Sequence, residues 1–377
     1  MRQDVEISKF ERNVNAYLSQ CICWDTKKNQ FDLTSADHKG LFSNCTVTLW
    51  ALTSKYPSDR FVRVNWPGQG IWRNSDQAGK NLFDLYFEQN TKADTRQLSH
   101  LPPIDSEGVY SALSFDRLTP YMQNYFVPSN AVRKKQEELV SKYNIDYEKT
   151  VALWYRGTDK WIQLSPIPPR YYLLETLRLL ANDPDLRVLV QTDQEQVRDM
   201  CMSNFEKRAF YFDELPVTSS VIGVHHIPAE SRGVSNFQFG ITLLAVANII
   251  ARCRYVVMST GNLGLWACLY RGTAKNTAQF RPRPPDLISN YEEKGESVNM
   301  AMNPNRSPSL PLSENYELRL ENSQLRFELN AIKNSVIFRC VRFFALKIER
   351  LFPDNTRRGW MRKHVTDWLR SLFKNSV

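Results

Sequence analysis

The chain has 377 residues, 42% of them hydrophobic and 12% aromatic, which suits two domains of roughly 100–200 residues each with real cores. Its net charge is +9, but residues 324–377 hold twelve basic and four acidic side chains, a balance of +8. The remainder is close to neutral, which argues against a nucleic-acid-binding body. The first residues are polar with no signal-like apolar region, and no apolar run of about 18 residues occurs that would span a membrane.

The seven cysteines are an odd number and scattered. Cys21 and Cys23 form a C-x-C without a second pair at zinc-ligand spacing, so no metal site is expected. Reduced thiols of a cytoplasmic protein fit best.

In chain order, the pattern predicts an amphipathic helix over 5–18 and a strand near Cys21–Trp24. A loop of small residues, Gly40 to Ser43 and Asn44, then runs into a helix over 45–55. Such a loop reads either as an ordinary helix cap at Ser43 or Asn44 or as an anion site made of free N–H groups. A strand over 61–64 and a helix over 81–88 follow, then a Pro-interrupted loop region. Pro128-Ser129-Asn130 starts a charged amphipathic helix over 131–143. A domain boundary is expected close behind it, giving a first domain over 1–147.

From 148 to 285 strand and helix alternate. Strands are predicted over 151–155, 186–192, 221–227 and 255–259, and helices over 168–180, 194–204, 237–251 and from 260 to 270. Apolar strands in this rhythm predict a doubly wound α/β domain with a parallel sheet. Residues 286–313, rich in Pro, Asn and Ser, read as a linker. Residues 314–377 read as a basic amphipathic helical tail.

Three strand-end loops carry polar residues on what would be one edge of that sheet, where open α/β folds bind ligands. The apolar run 151–155 stops at Arg156-Gly157-Thr158-Asp159. Arginine offers a planar charged fork for a diphosphate oxygen. Gly157 allows a turn or a close approach, and Thr158 and Asp159 can brace the loop. Asp193, after the next strand, reads as a helix N-cap or as a nucleotide contact. Ser259-Thr260-Gly261-Asn262 leads into a helix whose N-terminus could hold a diphosphate. His225 and His226 fall on consecutive positions of a predicted strand and would face opposite ways. Asp183-Pro184-Asp185 reads as a turn. The absence of G-x-G-x-x-G, Walker and G-x-S-x-G patterns counts against a dehydrogenase, an ATPase and a hydrolase.

VALWYRGTDK at 151–160, LVQTDQ at 189–194 and YVVMSTGNLGLWACLYRG at 255–272 together resemble the signature of the fucosyltransferase superfamily, comprising NodZ-like and core α1,6 enzymes and the protein O-fucosyltransferases. The resemblance covers roughly 40–280. It implies a GT-B fold, two Rossmann-like domains facing a cleft, with an acceptor-side domain over 1–147 and a nucleotide-sugar domain over 148–285. It further implies metal-independent transfer of a sugar, fucose from GDP-fucose, to a glycan hydroxyl, the donor being a substrate and no cofactor being needed. On this resemblance Arg156 contacts the diphosphate together with Gly157 and Thr158, Asp193 lies near the nucleoside, and Ser259, Thr260, Gly261 and Asn262 hold phosphate. Gly40, Ser43 and Asn44 form the cleft loop, and Asp159 is the nearest carboxylate for base catalysis. Trp154 and Gly157 stand where relatives often carry His and a second Arg, and 161–169 contains no carboxylate. A non-catalytic nucleotide-sugar or glycan-binding scaffold is therefore the second reading.

The tail repeats apolar residues at three- and four-residue steps among Arg and Lys. It also resembles basic tails of bacterial polysaccharide glycosyltransferases. Binding to an anionic membrane surface through 324–377 is one reading, with a peripheral position on the cytoplasmic face. A docking or oligomerisation helix is the other.

Overall fold

A computed structural model of the chain describes residues 2–34, 40–54, 61–67, 71–91, 95–157, 167–219, 223–282, 285–291 and 298–301. The chain divides into two compact units, Met1–Leu312 and Ser313–Val377. All described residues belong to the first, so the expected tail lies outside them. Among the described residues no helix is long and apolar enough to cross a membrane.

The first half opens with α1 (Arg2–Cys21) and a hairpin of β1 (Ile22–Asp25) and β2 (Gln30–Leu33), turned at Asn29 with φ 48°. Asparagine takes that left-handed turn position more readily than most residues. β3 (Arg63–Asn65) then pairs parallel to β2, making a three-stranded sheet. Between them lies α2 (Leu41–Ser54), whose residues are buried almost throughout. A helix apolar on every side belongs inside a protein rather than on its surface. α3 (Leu82–Tyr86), α4 (Phe115–Tyr125) and α5 (Asn130–Lys142) complete this half, with a two-strand ribbon of β4 (Phe87–Glu88) and β5 (Val127–Pro128) between them.

The second half is built on β6 (Thr150–Tyr155), every residue of which is buried, as its apolar run predicts. Elements then alternate through α6 (Pro169–Asn182), β7 (Arg187–Thr192), α7 (Glu195–Phe205), β8 (Ala209–Phe210), α8 (Ala229–Arg232), α9 (Asn236–Arg252), β9 (Tyr255–Ser259), α10 (Asn262–Arg271) and β10 (Thr277–Pro282). β11 (Pro285–Asn290) and β12 (Val298–Ala301) close a seven-stranded sheet of order β12-β11-β10-β9-β6-β7-β8. The five strands from β10 to β8 are mutually parallel. This is the mixed α/β, parallel-sheet architecture that the strand–helix rhythm predicts.

Two expectations change here. Of the strand expected over 221–227, Val221 and Ile222 lie outside the described residues, and Val224–His226 form a single 3₁₀ turn. The stretch read as a linker, 286–313, holds β12 and all of β11 but its first residue; β11 pairs antiparallel with β10, with Pro282 opposite Pro285. Proline is tolerated at a strand end, where no ladder bond is asked of it. β11 is further fastened by Tyr291, whose hydroxyl donates to buried Glu175 at 2.6 Å, while Arg178 grips the same carboxylate at 2.7 and 3.0 Å.

The expected boundary near 147 falls between α5 and β6, yet one apolar cluster runs from Val14 to Ala274 through both halves. Trp266 of α10 packs against Phe126 at 4.7 Å between ring centroids and stacks on Phe42 of α2 at 6.2 Å.

Candidate functional site

β6 leads to β7 and β8 on one side of itself, and the chain then returns to β9 and β10 on the other. Where the order reverses, the loops after β6 and β9 leave in opposite directions and a crevice opens at the carboxyl ends of the strands. A cleft of about 400 Å³ lies at this edge. Trp154, Tyr155 and Arg156 line it from β6, Gln191, Thr192 and Asp193 from β7, and Asn262 and Leu263 from α10. Gly40 to Ser43, Trp72, the turn carrying His225 and His226, and the apolar Leu215, Pro216, Phe239 and Leu243 line the remainder.

Arg156 is set by its neighbours. The N–H of Gly157 donates to Asp193 Oδ1 at 3.0 Å, and Arg156 Nε stands 3.9 Å from Asp193 Oδ2. Asp193 is itself held, since its carbonyl accepts from the N–H of Thr218 at 3.0 Å. It is therefore a brace between two strand-end loops, and Gln194 takes the cap position of α7. A side chain at Gly157 would bring its first carbon within 3.0 Å of the Gln194 amide and the Tyr155 ring. Thr158 and Asp159 lie outside the described residues.

Buried polar atoms collect around this brace. Gln191, 5% exposed, has a carboxamide oxygen with no hydrogen-bond partner, and the same holds for Gln194 Oε1 and the Tyr155 hydroxyl. Buried polar groups are nearly always paired, so such atoms in a cleft mark where a ligand completes the bonding. Burial pushes the Tyr155 phenol well above its ordinary pKa, which keeps it a neutral O–H donor.

The loop 40–44 is tighter than predicted. α2 begins at Leu41, with the N–H groups of Ser43 and Asn44 donating to the Gly40 carbonyl at 2.9 and 3.1 Å. Gly40 and Ser43 reach the cleft, whereas Asn44 is fully buried and is not among its lining residues. Across the cleft floor, Asn262 donates to Ser43 Oγ at 3.2 Å and accepts from Thr46 Oγ1 at 2.7 Å; Thr46 accepts from Trp266 Nε1 at 2.9 Å. This relay holds the start of α10 against the start of α2.

The segment 259–262 differs from expectation in what its backbone is free to do. The N–H of Thr260 donates to the Phe280 carbonyl and that of Gly261 to the Ser106 carbonyl, both at 2.9 Å, with the Tyr110 hydroxyl 2.8 Å from the Gly261 nitrogen. Ser259 hydrogen-bonds Tyr172. Of the four residues, Asn262 lines the cleft. Sequence does not reveal this, because Ser106 and Tyr110 come from a distant loop.

The opposite wall is a stack of flat groups. Arg232 lies 4.4 Å over the Phe239 ring, Phe239 stacks on Trp72 at 5.6 Å, Trp72 on His225 at 6.2 Å, and His225 meets His226 at 4.0 Å. In a 3₁₀ turn, successive side chains are not opposed as in a strand, so both imidazoles line one cleft. Trp72 belongs to no predicted site, although the Trp/Gly/Asn-rich composition around it is unusual for a plain loop. Among the described residues no group of three or more His, Cys, Asp or Glu side chains could hold a metal ion.

No protein-family model matches the chain, and no curated protein matches it. Among solved structures, it is similar to NodZ α-1,6-fucosyltransferase soaked with GDP-fucose (17% identity, 47% of this chain and 54% of that one, TM-score 0.31). It is also similar to the same enzyme co-crystallised with GDP (15%, 48% and 53%, TM-score 0.31). A selenomethionine form of fucosyltransferase NodZ from Bradyrhizobium matches over 65% of this chain and 95% of that one, at 16% identity and TM-score 0.36. The chain thus spans about half the length of the two nucleotide-bound structures.

Proposed function

We propose that this chain is a glycosyltransferase that moves a sugar from a nucleoside diphosphate donor to a glycan hydroxyl, with the donor in the cleft at the β6–β9 crevice. The observation that carries the reading is Arg156: it lines that crevice, on a loop pinned by Asp193, near the carboxamide oxygen of Gln191, which is unpartnered among the described residues. A guanidinium there meets the oxygens of a diphosphate with two N–H groups at once. Gln191, with Asp193 beside it, offers hydrogen bonds to the nucleoside.

As the bond between the anomeric carbon and phosphate breaks, charge gathers on the departing diphosphate. Arg156 stabilises it most at the transition state, which is where an interaction must act to raise the rate. Fucose from GDP-fucose is the donor we infer, supported by the three motifs at 151–160, 189–194 and 255–272, on a GT-B plan with 1–147 as the acceptor side. Turnover is expected to persist in EDTA. We place the protein on the cytoplasmic side, with residues 324–377 as its membrane-surface contact.

One observation favours a non-catalytic binding scaffold: Asp193 is the one carboxylate lining the cleft among the described residues, and it is occupied as a brace. A thermal-shift series with GDP, UDP, CDP and dTDP, followed by release of GDP from GDP-fucose, separates the two. A ligand that binds only the folded state at 100 times its Kd adds about 2.7 kcal/mol of stability. A rise with GDP and turnover supports the enzyme, a rise without turnover the nucleotide-sugar scaffold, and no rise with any nucleotide defeats both of these and leaves a glycan-binding scaffold.

A further inference from the structure

A glycosyl transfer that starts from an alcohol must find a home for the hydroxyl proton. The described lining of the cleft offers few groups that can take it near neutral pH. Asp193 accepts the Gly157 N–H and faces Arg156, so it is engaged. Buried Tyr155 is held protonated. What remains is the pair of imidazoles on the turn Val224–His226.

We propose that His225 and His226 together are the proton acceptor for the incoming hydroxyl, an assignment that rests on the glycosyltransferase reading above. Three features of the wall point to it. Imidazole is the side chain whose ordinary titration spans neutral pH. The pair is built, not incidental: His225 lies in near-parallel stacking, 14° between planes, on Trp72, itself 1% exposed and stacked on Phe239. The rings stand 4.0 Å apart, between centroids, on one wall of the cleft. Charged groups on the surrounding elements are Arg73 next to Trp72, Glu230 and Arg232 on α8, and Arg156 and Asp193 in the cleft lining.

The step balances simply. The acceptor oxygen forms a bond to the anomeric carbon while the bond from that carbon to the diphosphate oxygen breaks. The electron pair of the broken bond leaves with the nucleoside diphosphate, and the hydroxyl proton passes to a ring nitrogen of the pair. The imidazolium then returns it to water or to the departing product.

The test uses the full chain with GDP-fucose and a glycan acceptor. The variants are His225→Ala, His226→Ala, the double substitution, and His226→Gln, which changes only the exposed ring. The double variant should lose about 10²–10⁴ in kcat while its thermal shift with GDP matches wild type, and added imidazole should restore part of the turnover. Wild-type kcat/KM should fall on the acid side, and the double variant should lose that limb. Wild-type kcat in a folded double variant, or an unchanged acid limb, overturns the assignment and leaves the enzyme reading intact. Should the double variant not fold, full kcat in His226→Gln with an unmoved profile overturns it instead. A wild-type protein that turns over no nucleotide sugar removes the assignment together with the reading beneath it.

Discussion

The amide of Gly157 donates to a carboxylate oxygen of Asp193 at 3.0 Å, joining the ends of two neighbouring parallel strands. The bond spans 36 positions of sequence and fixes where Arg156 can stand. Arg156→Lys should keep the fold, because the side chain is a quarter exposed and stands on the cleft wall rather than in the core. Lysine keeps the charge but not the fork. With transition-state stabilisation of a leaving diphosphate lost, turnover should drop by roughly 10²–10³. Steady-state kinetics with an unchanged melting curve is the check; wild-type turnover would remove Arg156 from the chemistry.

Gly157→Ala tests the brace from the other side. Its new carbon would meet Gln194 and Tyr155 within 3.0 Å, and overpacking of this kind costs about 1–3 kcal/mol. Urea unfolding should register the loss, and nucleotide affinity should fall with it as Arg156 is displaced. A variant as stable as the parent would mean that the loop has room to shift.

Thr46→Val probes the relay between the starts of α2 and α10. The isosteric change removes the group that Trp266 Nε1 donates to in the interior and that Asn262 Oδ1 accepts from at the cleft. Each buried group left unsatisfied costs about 1–3 kcal/mol. A midpoint shift in denaturant at constant slope would report this. A change under about half a kcal/mol, on the order of an ordinary surface substitution, would show that the relay is not what joins the helices.

Cutting the chain after Pro311 tests the tail. The cut lies at the edge of the compact unit Met1–Leu312. The product should stay folded and stop sedimenting with anionic vesicles, since it loses thirteen basic and seven acidic side chains, a balance of +6, and the aromatic residues expected to insert. The full chain should also leave vesicles as salt rises from about 0.1 M, where the Debye length is roughly 10 Å, towards 1 M. Equal vesicle binding by the cut protein defeats the membrane reading, and a change from oligomer to monomer favours the docking helix.

Much of this fold is legible in local chemistry. The run 150–155 announces a buried central strand, and the strand–helix rhythm that follows announces the parallel sheet and hence the edge where Arg156 and Asp193 meet. What escapes a sequence reading is decided by partners far away along the chain. β10 has few strand-like residues of its own and exists because β9 pairs with it at Val257 and Ala278. The two histidines look like a strand to any alternation rule, and only the turn geometry brings both rings to one cleft, with His225 stacked on Trp72. The backbone at Thr260 and Gly261 looks open for phosphate until Phe280 and Ser106 fill it.

The shared interior of the two halves has a bearing on how the molecule can be handled. A fragment beginning at β6 would present Trp266, Leu244 and Ile249, all buried against the rest of the chain, to water as one greasy face. The sheet half produced alone would clump, and a protease should yield no long-lived pair of halves. Evolution would likewise find it hard to trade the amino-terminal half for another, since each new partner would have to fit Trp266 and the Thr46–Asn262 bond at once. Ligand preference in such a chain is then more readily altered through its surface loops than by exchanging its halves.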